Sequence, residues 1–98
     1  SQNTVMEKEN LQHPGVLLKK QLQSANIRAK FVAEKIHVSN SQFGDILNGK
    51  RRITPKIALL LEKEFGYRAK EWVRLQAEYE LEVERIEMLQ DPVEAKPS

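Results

Sequence analysis

The sequence predicts an all-α protein of five helices with a flexible segment at each end. Apolar residues recur every three or four positions, and no stretch alternates apolar and polar residues as a half-buried strand would. Single Pro and Gly residues and helix-capping side chains divide the pattern into five segments. The 98 residues, 40% hydrophobic, suffice for one modest core. We expect one domain at 13–90, between a flexible N-terminal arm at 1–12 and a flexible tail at 91–98.

Two short helices near the middle of the chain predict a helix-turn-helix. They are expected at about 29–36 and 40–48, joined by the tight turn His37-Val38-Ser39. Ser39 suits the N-cap of the second helix, because its hydroxyl can accept from a free backbone N–H. Each helix has an apolar side that can face a common core, so we place the motif at residues 29–48.

Three further helices complete the predicted fold. The first is expected at about 14–24, where a proline suits the first helical turn. The fourth starts at Pro55 and stops at Gly66. The last and longest, at 69–90, carries one apolar stripe along about five turns.

The stripe on the last helix also predicts a homodimer. Tyr79, Val83 and Ile86 extend it beyond the part that a compact four-helix core can cover. The excess requires a second chain, and we expect these three residues at the interface. A two-fold dimer would set the two recognition helices roughly 34 Å apart, about one turn of DNA.

The outer face of the second motif helix favours insertion into the major groove of double-stranded DNA. This face is polar and weakly charged, and asparagine and serine side chains can both reach base edges. A solvated face would have a similar composition, and the basic loop Lys50-Arg51-Arg52 just beyond it is what favours DNA, because its cations can contact phosphates. Arg28 and Lys30, at the start of the first motif helix, can do the same.

The charge distribution fits two kinds of partner. Residues 1–74 carry 14 Lys and Arg against 7 Asp and Glu, whereas residues 75–98 carry 2 against 7. A basic body suits a polyanion, and an acidic C-terminal part suits a basic partner. Two solvated faces would explain the same numbers equally well.

Other classes of function find little support. The chain has no cysteine, so it has no disulfides or thiolate metal ligands, and a reducing cytoplasm is the expected location. Its longest apolar run, Ile57 to Leu61, has five residues, far short of the roughly 20 that span a bilayer. No His, Asp or Glu spacing suggests a metal cage, and no glycine-rich loop could hold phosphate. We expect neither an enzyme nor a metal or small-molecule cofactor.

Three segments resemble the HigA-type antitoxins of the XRE-like, or lambda repressor-like, helix-turn-helix group. They are HPGVLLKKQL, VAEKIHVSNSQFGDILNGKRRIT and PKIALLLEKEFGYRAKEWVRLQAEYEL, and the resemblance covers residues 13–81. It implies a five-helix lambda repressor-like domain that dimerises and binds a palindromic operator upstream of its own operon. It also implies a partner, a HigB-type toxin, which is a ribosome-dependent mRNA endonuclease.

The resemblance also implies which residues contact DNA. It assigns base reading to Ser39, Asn40, Ser41 and Asp45, and backbone contacts to positions near Arg28, Ala29, Asn48, Lys50 and Arg51. The group usually has a small hydroxyl residue followed by glutamine where this chain has Arg28-Ala29, so a phosphate clamp is lost or replaced by the arginine. Asp45 turns a carboxylate towards DNA, where it would be repelled unless it accepts from a cytosine N4.

Two alternatives remain open at this stage. The chain could be a stand-alone XRE-like repressor without a toxin partner, or a protein-binding adaptor, which Asp45 and the net charge of only +2 favour. A basic toxin could bind the N-terminal arm or an acidic face of the last helix, made of Glu78, Glu80, Glu82, Glu84 and Glu87.

Overall fold

A computed structural model describes residues 12–90, which form five α-helices and, within that range, no strand. The helices are α1 (Pro14–Ser24), α2 (Ala29–Lys35), α3 (Asn40–Leu47), α4 (Pro55–Phe65) and α5 (Ala69–Gln90). The predicted all-α, five-helix fold with a long last helix is confirmed. The predicted tail, and the predicted arm apart from Gln12, lie outside the described residues.

Side-chain caps fix where three of these helices begin. Ser39 Oγ accepts from the backbone N–H of Gln42 at 3.0 Å, and Thr54 Oγ1 accepts from that of Ile57 at 3.2 Å. The cap of α1 is His13, whose Nδ1 accepts from the N–H of Gly15 at 2.8 Å. Each bond satisfies a backbone donor that the first turn of a helix leaves free.

The core forms where the five helices meet. The central helix of the motif, α3, contributes Phe43 and Ile46, each at most 1% exposed. Burying a side chain of this size stabilises the fold by about 1.5 to 3 kcal/mol. Ala33 of α2, also 1% exposed, is small where α2 and α3 approach each other. The long helix α5 packs against α4 and α1 and closes the core with Trp72.

The start of α1 lies directly against the end of α3. A Cβ added at Gly15 would overlap the backbone carbonyl of Ile46, so no side chain fits at this position. The ring of His13, which is 6% exposed, meets the ring of Tyr79 edge-on with centroids 5.0 Å apart. The segment His13-Pro14-Gly15 therefore connects α1, α3 and α5 at one point.

The structure corrects the expected exposure of the distal stripe of α5. Ile86 is only 5% exposed within this chain, so it offers little surface to a second one. Tyr79 is half-buried because it packs on His13, and Val83 is also half-buried. The exposed apolar side chains of this half of α5 are instead Leu81, Met88 and Leu89, which are 57%, 50% and 76% exposed.

Candidate nucleic-acid interface

The first turn of α3 presents three short polar side chains together. Ser39 is the cap residue, and Asn40 and Ser41 follow it on the exposed surface. The Ser39 oxygen already accepts from Gln42, so its hydroxyl hydrogen is the part that remains available to an outside acceptor. The Asn40 side chain makes no hydrogen bond within residues 12–90, so its carbonyl and amino groups can both pair with a base edge.

The second turn of α3 is less accessible. Asp45 is half-buried, and no cation among residues 12–90 forms an ion pair with it. Its backbone carbonyl accepts from the N–H of Lys50 at 2.8 Å. Asn48 is exposed at the C-cap, and Gly49 then turns the chain with a φ of 79°, a left-handed conformation that favours glycine. The basic loop therefore leaves α3 in a fixed direction.

The three consecutive cations of the loop have different surroundings. Lys50 and Arg51 are exposed, and within the described range neither forms an ion pair. The guanidinium of Arg52 is bound to Glu80 of α5, through Nε at 2.7 Å and Nη2 at 3.3 Å. Glu80 therefore engages two of the five N–H donors of Arg52, so this guanidinium, unlike the cations of its two neighbours, already has an anionic partner within the chain.

The environment of Glu80 keeps this carboxylate charged. The hydrogen bond from Arg52 and, to a lesser extent, that from Gln76 lower the pKa of the Glu80 carboxyl against the opposing effect of burial. The same hydrogen bond raises the pKa of Arg52. The pair is therefore fully ionised at neutral pH.

Two further predicted cations lie one helix away, at the start of α2. Arg28 occupies the N-cap position, and because its side chain has no acceptor, it makes no cap hydrogen bond. Its guanidinium and the amine of Lys30 are exposed. Neither cation forms an ion pair within residues 12–90, so the start of α2 presents positive charge at the surface.

A groove beside α3 contains two polar residues that the sequence reasoning missed. It has a volume of about 440 Å³ and lies between the turn of the motif and α4. Gln42 and Lys56 both line it, next to the cap residue Thr54. The placement of Lys56 could have been inferred, since it stands in the first turn of the predicted fourth helix, four residues after Arg52 of the basic loop.

Ion pairs along the exposed side of α5 neutralise part of its acidic character. Arg74 binds Glu71 at 2.6 Å and Glu78 at 2.9 Å, and Arg85 binds Glu82 at 3.3 Å. The predicted acidic face is therefore interrupted by two arginines. Within residues 12–90, no helix is long and apolar enough to cross a membrane, and no group of three or more metal-ligating side chains occurs.

The comparison with known proteins agrees with this geometry. Residues 18–72, more than half of the chain, match the family model described as Helix-turn-helix. The chain belongs to the helix-turn-helix family. Virulence-associated protein A' of Dichelobacter nodosus is 38% identical over 74 residues, which cover 74% of this chain and 64% of that protein.

Two solved structures define the branch of the family. The antitoxin HigA of Pseudomonas aeruginosa, solved with the higBA promoter, is similar with a TM-score of 0.77 and 27% identity, over 90% of this chain and 96% of that one. An addiction module antidote protein of a HigA family from Coxiella burnetii is similar with a TM-score of 0.76 and 28% identity, over the same 90% and 96%. The resemblance to HigA-type antitoxins of the XRE-like group is confirmed. This is a family of DNA-binding antitoxins and repressors, so the prediction that the chain is not an enzyme is also confirmed.

Proposed function

We propose that this chain binds double-stranded operator DNA and represses its own operon. The observation that carries the proposal is the exposed polar turn Ser39-Asn40-Ser41, followed at the other end of the same helix by two exposed cations, Lys50 and Arg51, that form no ion pair within residues 12–90. Short polar side chains can enter a major groove, while cations beside it can contact the phosphates. The similarity to a HigA solved with its promoter supports the same reading.

The roles within this interface follow from exposure. Asn40 and Ser41 are assigned to base edges, with Ser39 and Asp45 as the flanking readers. Asp45 is compatible with DNA binding only where its carboxylate accepts from a cytosine N4, because phosphate would repel it. The backbone contacts are assigned to Lys50, Arg51, Asn48, Arg28 and Lys30, to which the groove position of Lys56 adds a further cation.

Operator recognition further implies a homodimer, which we place on the distal half of α5. Val83 is half-buried, and Leu81, Met88 and Leu89 expose apolar surface that water solvates poorly. Tyr79 and Ile86 contribute mainly to the packing of their own chain. A two-fold dimer would present two α3 helices to successive turns of a palindromic site.

We also propose that the chain neutralises a HigB-type toxin. This proposal is supported by its similarity to the HigA proteins, whose descriptions name them an antitoxin and an antidote. A stand-alone repressor would have the same DNA interface without this partner. Co-expression of this chain with the product of a small gene adjacent to its own should restore growth that the product alone arrests. Continued arrest, together with the absence of a co-purifying complex, would favour the stand-alone repressor.

A titration with two DNA fragments tests operator binding. The chain is titrated with its own promoter fragment and with a scrambled fragment of the same length, each at several salt concentrations. We expect tighter binding to the promoter and a linear fall of the logarithm of affinity with the logarithm of salt concentration. Equal affinity for both fragments, or affinity that does not depend on salt, would refute the proposal and favour a protein-binding adaptor.

A further inference from the structure

A hydrogen-bonded chain connects the basic loop to the middle of α5. Gln76 is 2% exposed, and its Oε1 accepts from the backbone N–H of Ile53 at 2.8 Å. Its Nε2 donates to Glu80 Oε2 at 3.0 Å, and Glu80 in turn accepts from Arg52. Two residues one turn apart on α5 therefore hold two consecutive residues of the loop.

The hydrogen bond to Gln76 satisfies the buried backbone N–H of Ile53. Ile53 has no exposed surface, and a buried backbone N–H without a partner costs about 1 to 3 kcal/mol. Gln76 supplies the acceptor from a helix 23 residues further along the chain. The end of the loop is thereby tied to α5, while its beginning is tied to α3 through the bond from Lys50 to Asp45.

The loop is thus fixed on both sides of Arg51. Lys50 is held by its backbone, Arg52 by its side chain and Ile53 by its backbone. The loop cations without an ion pair in the described part of the chain are therefore Lys50 and Arg51. Holding a residue in one backbone conformation costs about 1 to 2 kcal/mol of entropy. A loop that is already ordered does not incur this cost again when it meets DNA.

We propose that Gln76 and Glu80 are positioning residues for the DNA backbone contacts of Lys50 and Arg51. This inference rests on the proposed operator binding and deepens it. Arg52 then anchors the loop and is not a phosphate ligand, although it lies within a run of three cations. The opposing arrangement, in which Glu80 merely competes with phosphate for Arg52, predicts the opposite effect when Glu80 is replaced.

The test compares Glu80→Ala with Glu78→Ala in the full chain. Glu78 lies on the same helix, pairs with Arg74 rather than with the loop, and its replacement removes the same charge. Relative to Glu78→Ala, we expect Glu80→Ala to bind the operator about 5- to 30-fold more weakly, which is the entropic cost of ordering about one residue when DNA binds. The slope of log affinity against log salt should not change, and Glu80→Gln, which retains an acceptor for Arg52, should recover part of the loss.

Arg52→Ala supplies a second readout. We expect the same weakening and the same salt slope as for Glu80→Ala, with no further loss in the double variant, because both changes release one anchor. Amide hydrogen exchange of Ile53 should be faster in Glu80→Ala than in Glu78→Ala, while core amides of α4 exchange as before.

Three results would overturn the inference. Tighter binding by Glu80→Ala, with a slope of log affinity against log salt steeper by about 0.9 for each bound chain, would make Arg52 a phosphate ligand that Glu80 withholds. Binding equal to that of Glu78→Ala would remove any positioning role while leaving operator recognition intact. A wild-type chain that does not prefer its promoter would refute the proposed function itself, and this inference with it.

Discussion

Replacing Gly15 with alanine should destabilise the protein, although alanine is the better helix former. Its Cβ would overlap the carbonyl of Ile46 and would lie 3.0 Å from Nδ1 of the capping His13. A backbone carbonyl cannot rotate away as a flexible side chain can, so α1 must shift away from α3, and forced overpacking of this kind typically costs about 1 to 3 kcal/mol. The helix propensity of alanine returns at most about 1 kcal/mol. We expect a net loss of about 1 to 2 kcal/mol.

The matched control is Gly44→Ala. Gly44 lies inside α3 without a positive φ, and a Cβ there would meet no atom within 4 Å. The same substitution should therefore stabilise the fold by about 0.5 to 1 kcal/mol. The two changes are chemically identical and differ only in their surroundings, so their signs should be opposite.

Urea unfolding, followed by far-UV circular dichroism, gives the free energy of unfolding of both variants and of the unchanged protein. Protein concentration must be the same throughout, because association of two chains would add to the apparent stability. Thermal unfolding gives a second measurement, in which a change of about 1 kcal/mol in the free energy of unfolding shifts the Tm of a domain of this size by about 4 to 8 °C. A Gly15→Ala variant as stable as Gly44→Ala would refute the close approach of α1 and α3.

Three further predictions concern the interface, the pH response and association. Asn40→Ala should weaken binding to the operator by about 1 to 3 kcal/mol and leave binding to random DNA unaffected, whereas Arg51→Ala should weaken binding to both and reduce the salt slope by about 0.9 for each bound chain. Equal losses on both DNAs for Asn40→Ala would contradict base reading. Burial lowers the pKa of His13 despite the nearby Glu80, so the unfolded chain takes up a proton more readily than the folded one, and the free energy of unfolding should fall as pH decreases below about 6.5. A His13→Asn variant, which retains a capping oxygen, should lack this pH-dependent component in urea titrations at several pH values. Val83→Glu should give a monomer in sedimentation or light scattering, and an unchanged dimer would place the interface elsewhere.

Local signals explain why the helices could be predicted from the sequence. Pro14 and Ser39 act on their own turn of helix, so they mark its beginning without reference to the rest of the chain. The apolar period likewise identified which side of each helix faces inward. The capping role of His13 has no comparable signal in the sequence, because histidine is not among the residues that commonly cap a helix.

Long-range pairing explains what the sequence could not show. Arg52 and Glu80 are 28 positions apart, and nothing in the run Lys50-Arg51-Arg52 distinguishes the cation that turns inward. The period of α5 places Ile86 on the apolar stripe, which predicts that a second chain covers it, whereas its own chain buries it. A weak signal was present at Gln76, a polar residue next to the apolar stripe between Trp72 and Tyr79, where a buried amide indicates a specific hydrogen-bond partner.

If Arg52 anchors the loop and does not contact phosphate, the salt dependence of operator binding changes. Each phosphate contact contributes about 0.9 to the slope of log affinity against log salt. In the proposed dimer the change counts twice, so the slope should be shallower by about 1.8 than a count of all three loop cations would give. Specificity and affinity then depend on neighbouring segments of the chain. The short polar side chains of α3 read bases, and the anchored loop that follows the motif supplies charge. The cations that contribute to a measured slope can be identified by comparing Arg51→Ala, which should change the slope, with Arg52→Ala, which should not.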